Sequence, residues 1–108
     1  MGLTKSEIFT EEQNEIAAIA KVLGHPARIA ILEFLIKLES CVCRDLVKDI
    51  GLAQPTISQH LKELKKVGII KGKIEGTSVC YCIDQVNWDK IKNTLGQFLS
   101  KSATDSCC

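Results

Sequence analysis

A mainly α-helical domain with one small β-hairpin, five helices plus a two-stranded wing, is the fold class these 108 residues predict. Three observations predict it. Apolar residues recur at helical spacing along most of the chain. A glycine turn, Gly51-Leu52-Ala53, separates a short apolar stretch from a helix with a polar, basic side. Two segments rich in β-branched residues then flank the turn signal Glu75-Gly76. The length suits one domain and leaves no room for a second core, so residues 1–108 are expected to form a single unit. With 45% apolar and 25% charged residues, the chain is expected to fold rather than stay disordered.

The elements follow in order. Thr10 with Gln13 makes a capping box, and Ile16, Ile19, Ala20 and Leu23 continue at helical spacing until Gly24 offers a stop. Pro26 suits a first helical position, so a second helix starts there and carries Ile29, Leu32, Leu35 and Ile36 to about Leu38. A short third helix is predicted from about Cys43 to Ile50, with Leu46, Val47 and Ile50 inward and Gly51 closing it in the left-handed conformation. Pro55 opens a fourth, in which Ile57, Leu61 and Leu64 form the inner face and Gly68 is the stop. Ile69–Ile74 and Val79–Ile83 form the hairpin. Trp88, Ile91, Leu95, Phe98 and Leu99 mark the last helix, and residues 101–108 a flexible tail. Two helices about a glycine turn, followed by a hairpin, make a winged helix-turn-helix.

Net charge is only +1, so affinity for nucleic acid requires local asymmetry. Between residues 54 and 78, Lys62, Lys65, Lys66, Lys71 and Lys73 oppose only Glu63 and Glu75. With Ile57, Leu61 and Leu64 inward, a 100° step places Gln59, Lys62 and Lys66 outward and Thr56, Ser58 and Lys65 on the flanks. Gln59 can bond an adenine edge bidentately, Gln54, Thr56 and Ser58 stand near the helix start, and the lysines suit phosphates. Lys71 and Lys73 on the wing can follow an adjacent groove or phosphate strand. His60 falls only about 60° from the apolar centre, so it reads equally as a base contact or as a histidine at the core edge. Double-stranded DNA is the expected partner.

Six cysteines could staple a small secreted domain, but the N-terminal residues show no apolar signal core. The thiols are therefore expected to be cytoplasmic and reduced. No apolar run approaches the roughly 20 residues that cross a bilayer, so no membrane partner is expected. Cys41 and Cys43 stand one residue apart, directly before the helix-turn-helix, and thiolates bind soft ions. Residues two apart in an ideal helix point about 200° away from each other, so both sulfurs meet one ion only where the segment is extended or unwound. Binding there and reshaping the start of the third helix are one event. Cys80 and Cys82 share a face of the wing strand and read either as small buried hydrophobes or as a second ligand pair. Cys107 and Cys108 read as ligands reaching in from the tail or as an unstructured end.

Cys41-Val42-Cys43-Arg44-Asp45-Leu46, followed by Leu52-Ala53-Gln54-Pro55-Thr56-Ile57-Ser58-Gln59-His60-Leu61-Lys62, resembles the arsenical-resistance (ArsR-type) repressor family of bacteria and archaea. Gly24-His25-Pro26-Ala27-Arg28 and Val67-Gly68-Ile69-Ile70 resemble the segments flanking that motif. The resemblance implies a homodimeric winged repressor that leaves its operator on binding a metal or metalloid. It also implies dimerisation through the first and last helices, here Ile16, Ile19 and Leu23 with Trp88, Ile91, Leu95 and Phe98. The family's arsenic box has Asp-Leu directly after Cys-Val-Cys and commonly a third cysteine nearby. This chain inserts Arg44 and has no third local cysteine, so further ligands are sought at Cys107 and Cys108, then at Cys80 and Cys82. With no histidine after His60, the family's histidine-based zinc site on the last helix is absent.

The expected function is thus a repressor released from its operator by a soft ion, As(III) or Sb(III) favoured, with no organic cofactor. Two alternatives stay open. One is a redox or persulfide sensor of the same fold. The other is a structural zinc protein with Cys41, Cys43, Cys80 and Cys82 as a four-thiolate site. No HExxH box, phosphate-cradling glycine loop or nucleophile motif points to an enzyme.

Overall fold

The computed structural model describes residues 8–38, 46–75 and 78–103. Within them, five helices and one antiparallel hairpin follow in the predicted order: α1 (Glu11–Leu23), α2 (Pro26–Leu38), α3 (Val47–Ile50), α4 (Gln54–Lys66), β1 (Ile70–Glu75), β2 (Ser78–Ile83) and α5 (Gln85–Leu99).

Local chemistry sets the boundaries. The capping box closes α1: the Gln13 amide donates to Thr10 Oγ1 at 3.0 Å, and the Thr10 amide donates to Gln13 Oε1 at 3.0 Å. Gly24 ends α1 with φ −78°, so the predicted stop is there without a left-handed residue. Gly51 and Gly68 do take positive φ, 84° and 80°, where a side chain would be strained. At Gly68 the backbone also runs close under α5, where Asn87 Nδ2 donates to the Gly68 carbonyl at 2.9 Å, and a Cβ would strike that amide.

Four element starts differ from the sequence expectation. α3 begins at Val47, four residues later than predicted, with Leu46 as a bend ahead of it, while residues 43–45 lie outside the described part. The wing strands start at Ile70 and Ser78, one residue from the expected positions. α5 begins at Gln85 because Asp84 caps it, accepting from the Asn87 amide at 3.3 Å. Apolar spacing alone, which starts at Trp88, does not register that cap.

The core collects one face of every long helix. Ile19 and Val22 of α1, Ile31, Leu32 and Leu35 of α2, Leu46 ahead of α3, Ile57, Leu61 and Leu64 of α4, then Ile69, Ile70 and Ile91 pack together. Each fully buried aliphatic side chain contributes about 1.5–3 kcal/mol. α2 is the hub, packed against α1, α3, α4 and β2, whereas α5 returns to α1. The expected inner stripe of α2 is corrected here: Ile31 is buried in place of Ile29 and Ile36, which are 39% and 44% exposed. Val22 likewise replaces Ala20 on α1. No described helix is long and apolar enough to cross a membrane.

Candidate nucleic-acid interface

α4 is amphipathic because its sequence separates two kinds of residue cleanly. Ile57, His60, Leu61 and Leu64 are buried, while Gln54, Thr56, Ser58, Gln59, Lys62, Lys65 and Lys66 are exposed. No acidic residue sits in its first turn and no side chain caps Ala53, so the positive end of the helix dipole is not offset there. Lys65 and Lys66 close its last turn.

The hairpin extends that surface. Lys71 and Lys73 of β1 are exposed, and the register pairs them with Cys82 and Cys80 of β2. The other sheet face carries Gly72, Val79 and Tyr81 and turns toward α4: a Cβ on Gly72 would lie 3.3 Å from the Lys65 amine. Glycine at 72 thus lets the Lys65 side chain cross the strand, while Lys71 and Lys73 stand exposed on the opposite face of the wing. On the exposed side of α4 two polar pairs are local: Gln54 Nε2 donates to Ser58 Oγ at 3.2 Å, and Gln59 Nε2 donates to Glu63 Oε1 at 3.2 Å. Exposed bonds of this kind exchange readily for base or phosphate contacts.

His60 does not belong to that surface. It is 6% exposed and faces the α1–α2 corner, where Arg28 Nε donates to its Nδ1 at 3.1 Å. Arg28 Nη1 donates in turn to the Val22 carbonyl at 3.2 Å, in the last turn of α1. The His25 ring lies 4.4 Å from that of His60, tilted by 57°, and its Nδ1 accepts from the Ala27 amide at 3.2 Å. Of the two readings of His60, the structure places it at the core edge. Arg28 and His25 are the polar residues that apolar spacing could not find. In the sequence they stood out only as part of the segment Gly24-His25-Pro26-Ala27-Arg28, which names no partner on α4.

The thiols divide between described and undescribed parts. Cys41, Cys43, Cys107 and Cys108 lie outside the described residues. Cys80 is fully buried, as its small-hydrophobe reading requires, and it is disulfide-bonded, in contrast to the expected reduced state. Cys82 is half-buried on the same sheet face. Among the described residues no group of three or more His, Cys, Asp or Glu side chains could hold a metal, and Cys80 cannot ligate an ion while oxidised.

The faces expected to pair two protomers are unequal. Ile19 and Ile91 are buried within the protomer, at 4% and 6% exposure. Ile16, Leu23, Trp88 and Leu95 are half-buried, and Phe98 is exposed. Ile8, Phe9, Val86 and Leu99 add exposed apolar surface at the ends of α1 and α5.

A helix-turn-helix with a basic recognition helix and wing defines a DNA-binding regulator, and comparison with known proteins agrees. Residues 25–71 match the bacterial regulatory protein arsR family. An HTH-type transcriptional regulator of Methanocaldococcus jannaschii is 39% identical over 87 residues, covering 79% of this chain and 92% of the relative. The arsenical resistance operon repressor of Staphylococcus xylosus is 33% identical over 81 residues, covering 75% and 77%. The homodimeric winged helix-turn-helix DNA-binding domain from Mycobacterium bovis superposes with a TM-score of 0.65 at 23% identity, over 92% of this chain and 88% of that one. The chain belongs to the ArsR family of transcriptional regulators.

Proposed function

We propose that this chain is a repressor that holds operator DNA as a homodimer and releases it when a thiophilic metal or metalloid binds its cysteine thiolates. The observation that carries the DNA half is the exposed polar side of α4, with Gln54, Thr56, Ser58, Gln59, Lys62, Lys65 and Lys66, to which the wing adds exposed Lys71 and Lys73. Gln59, with Thr56 and Ser58, reads bases; the lysines hold phosphates. Half-buried Ile16 and Leu23 of α1, with exposed Val86, Phe98 and Leu99 of α5, supply the dimer face.

The inducer half rests on the sequence. Cys41 and Cys43 precede α3, and the 33% identical relative is an arsenical resistance operon repressor. As(III), Sb(III) or another soft ion suits such a thiolate pair, with Cys107 and Cys108 as further ligands. α2 carries the effect onward, because it packs against both α3 and α4. The test is fluorescence anisotropy with a duplex that the protein selects from a random library. Arsenite is expected to release wild type and to leave a Cys41→Ser, Cys43→Ser variant bound. Release of both would move the inducer site elsewhere.

One observation favours a second reading, a thiol redox sensor. Cys80 is oxidised within the fold, and Cys82 is not its partner. Intact mass of protein first reduced with a dithiol and then treated with mild peroxide separates the readings: loss of two hydrogens as the disulfide re-forms and peroxide goes to water, together with DNA release, supports redox sensing, whereas the same loss without release makes the disulfide structural. A four-thiolate zinc site needs Cys80 reduced and predicts that chelator unfolds the protein.

A further inference from the structure

His60 sits on the recognition helix, yet every polar contact it makes points away from DNA. Its Nδ1 accepts from Arg28 Nε, so its single proton is on Nε2. Arg28 reaches past it to the Val22 carbonyl, and His25 covers its ring while capping the start of α2. One chain of polar groups therefore joins the last turn of α1, the first turn of α2 and the middle of α4. Leu61 and Leu64 fix the depth of α4 by apolar packing, which is non-directional. The Arg28–His60 bond is directional and fixes the roll of the helix about its axis, hence which side chains face outward.

We propose that Arg28 and His60 are a positioning pair for DNA recognition, and that a second proton on His60 releases the recognition helix from its seat. The inference rests on the DNA-binding reading. A proton on Nδ1 removes the acceptor that Arg28 uses. Arginine cannot yield a proton in exchange, so two donors then face each other at hydrogen-bond distance. The charged groups acting on His60 are His25, from the α1–α2 turn, and Arg28, from α2, and both oppose a cation there. Burial, then these two neighbours, holds the His60 imidazole below the ordinary histidine value of 6.5. The fold thus favours the neutral ring. Its contribution is complete above pH 6.5, where folded and unfolded chains are both neutral, and is lost as pH falls through the lowered folded value.

The direction distinguishes this role from direct contact. A histidine touching DNA gains affinity when protonated, because the phosphates attract the added charge. A positioning histidine loses it. Anisotropy with the selected duplex is measured from about pH 7.5 down to about pH 5, the lower end of the histidine range, because the folded value of His60 lies below 6.5. Wild type is expected to weaken about tenfold, within the roughly 5- to 150-fold span of couplings between sites. His60→Asn keeps an acceptor near the Nδ1 position and cannot take the proton, so it is expected to bind as wild type does near neutrality with a flat profile. His60→Leu removes the acceptor and is expected to bind weakly at every pH. An unchanged or strengthened wild-type affinity at low pH, or equal profiles for wild type and His60→Asn, overturns the proposal. Nitrogen-15 chemical shifts of His60 near neutrality test it without DNA: an Nε2–H tautomer is expected, and Nδ1–H overturns it. Failure of the DNA-binding reading appears separately, as an absence of any selected duplex.

Discussion

α2 and α4 are both thirteen-residue helices that begin with proline in the first turn, yet they occupy opposite ends of what periodicity can reveal. In α4 the buried residues Ile57, His60, Leu61 and Leu64 alternate with polar ones at helical spacing, so inner and outer faces are written into the chain. In α2, Pro-Ala-Arg-Ile-Ala-Ile-Leu-Glu-Phe-Leu-Ile-Lys-Leu is apolar nearly all round, and the contacts with α1, α3, α4 and β2 decide which residues are buried. A helix meant for DNA needs a sharp boundary between core and water. A helix that serves as hub needs apolar surface in several directions, and its sequence then stops naming a face.

The largest expected effect falls on the hub. Leu35→Ala should cost roughly 2–5 kcal/mol in urea unfolding, because the side chain is 2% exposed and the cavity it leaves is walled by several elements. Leu64→Ala, at 0% exposure, should cost a similar amount. A Leu35→Ala loss under about 1 kcal/mol would remove α2 from the centre of the fold, since that is the range of surface changes.

How far the sequence could be read follows from the same contrast. The capping box at Thr10 and Gln13, the left-handed Gly51, the stop at Gly68, the inner face of α4 and the exposed lysines were all legible, because each depends on neighbours in the chain. Ile31 in place of Ile29, the Asp84 cap and the seat of His60 were not. Ile31 depends on packing by distant elements. The His60 seat depends on Arg28, thirty-two residues away, and no local period contains it. Oxidation of Cys80 was missed for a further reason: composition argues about compartment and says nothing of which sulfurs the fold brings together.

Gly68→Ala is the next largest effect, and it tests a contact that only the fold creates. Alanine at φ 80° costs on the order of 1–2 kcal/mol, and its Cβ must also displace Asn87 from the Gly68 carbonyl. A total near 2–3 kcal/mol in thermal or urea unfolding is therefore expected, allowing about 1 kcal/mol for the lost hydrogen bond. In an Asn87→Ala background the cost of Gly68→Ala should fall to about 1–2 kcal/mol of backbone strain; an undiminished cost there would mean that the close approach of α5 contributes nothing.

On the DNA side of α4 the expected effects are smaller in stability and divide by kind. Gln59→Ala should leave unfolding within about 0.5 kcal/mol of wild type and relax discrimination at one base position by about 1–3 kcal/mol. Lys62→Ala should weaken all duplexes alike and lower the salt slope by about one. Competition binding against single-base variants over a salt series separates them. Equal loss on every duplex for Gln59→Ala would mean that it holds phosphate rather than reading a base.

The smallest expected effect returns to α2. Ile29 and Ile36 lie one heptad apart on its outer side, 39% and 44% exposed, on the helix whose inner residues carry the core. Ile36→Ser should change unfolding stability by no more than about 0.5 kcal/mol, as for surface positions away from special features. The comparison with Leu35, its chain neighbour, is then as sharp as one helix allows: adjacent residues, one wholly inside and one in water. A cost of about 2 kcal/mol at Ile36 that rises with protein concentration would show that the outer face of α2 is covered between protomers, because stability linked to association depends on concentration. A concentration-independent result near zero leaves the proposed dimer face on α1 and α5, where Val86, Phe98 and Leu99 are exposed.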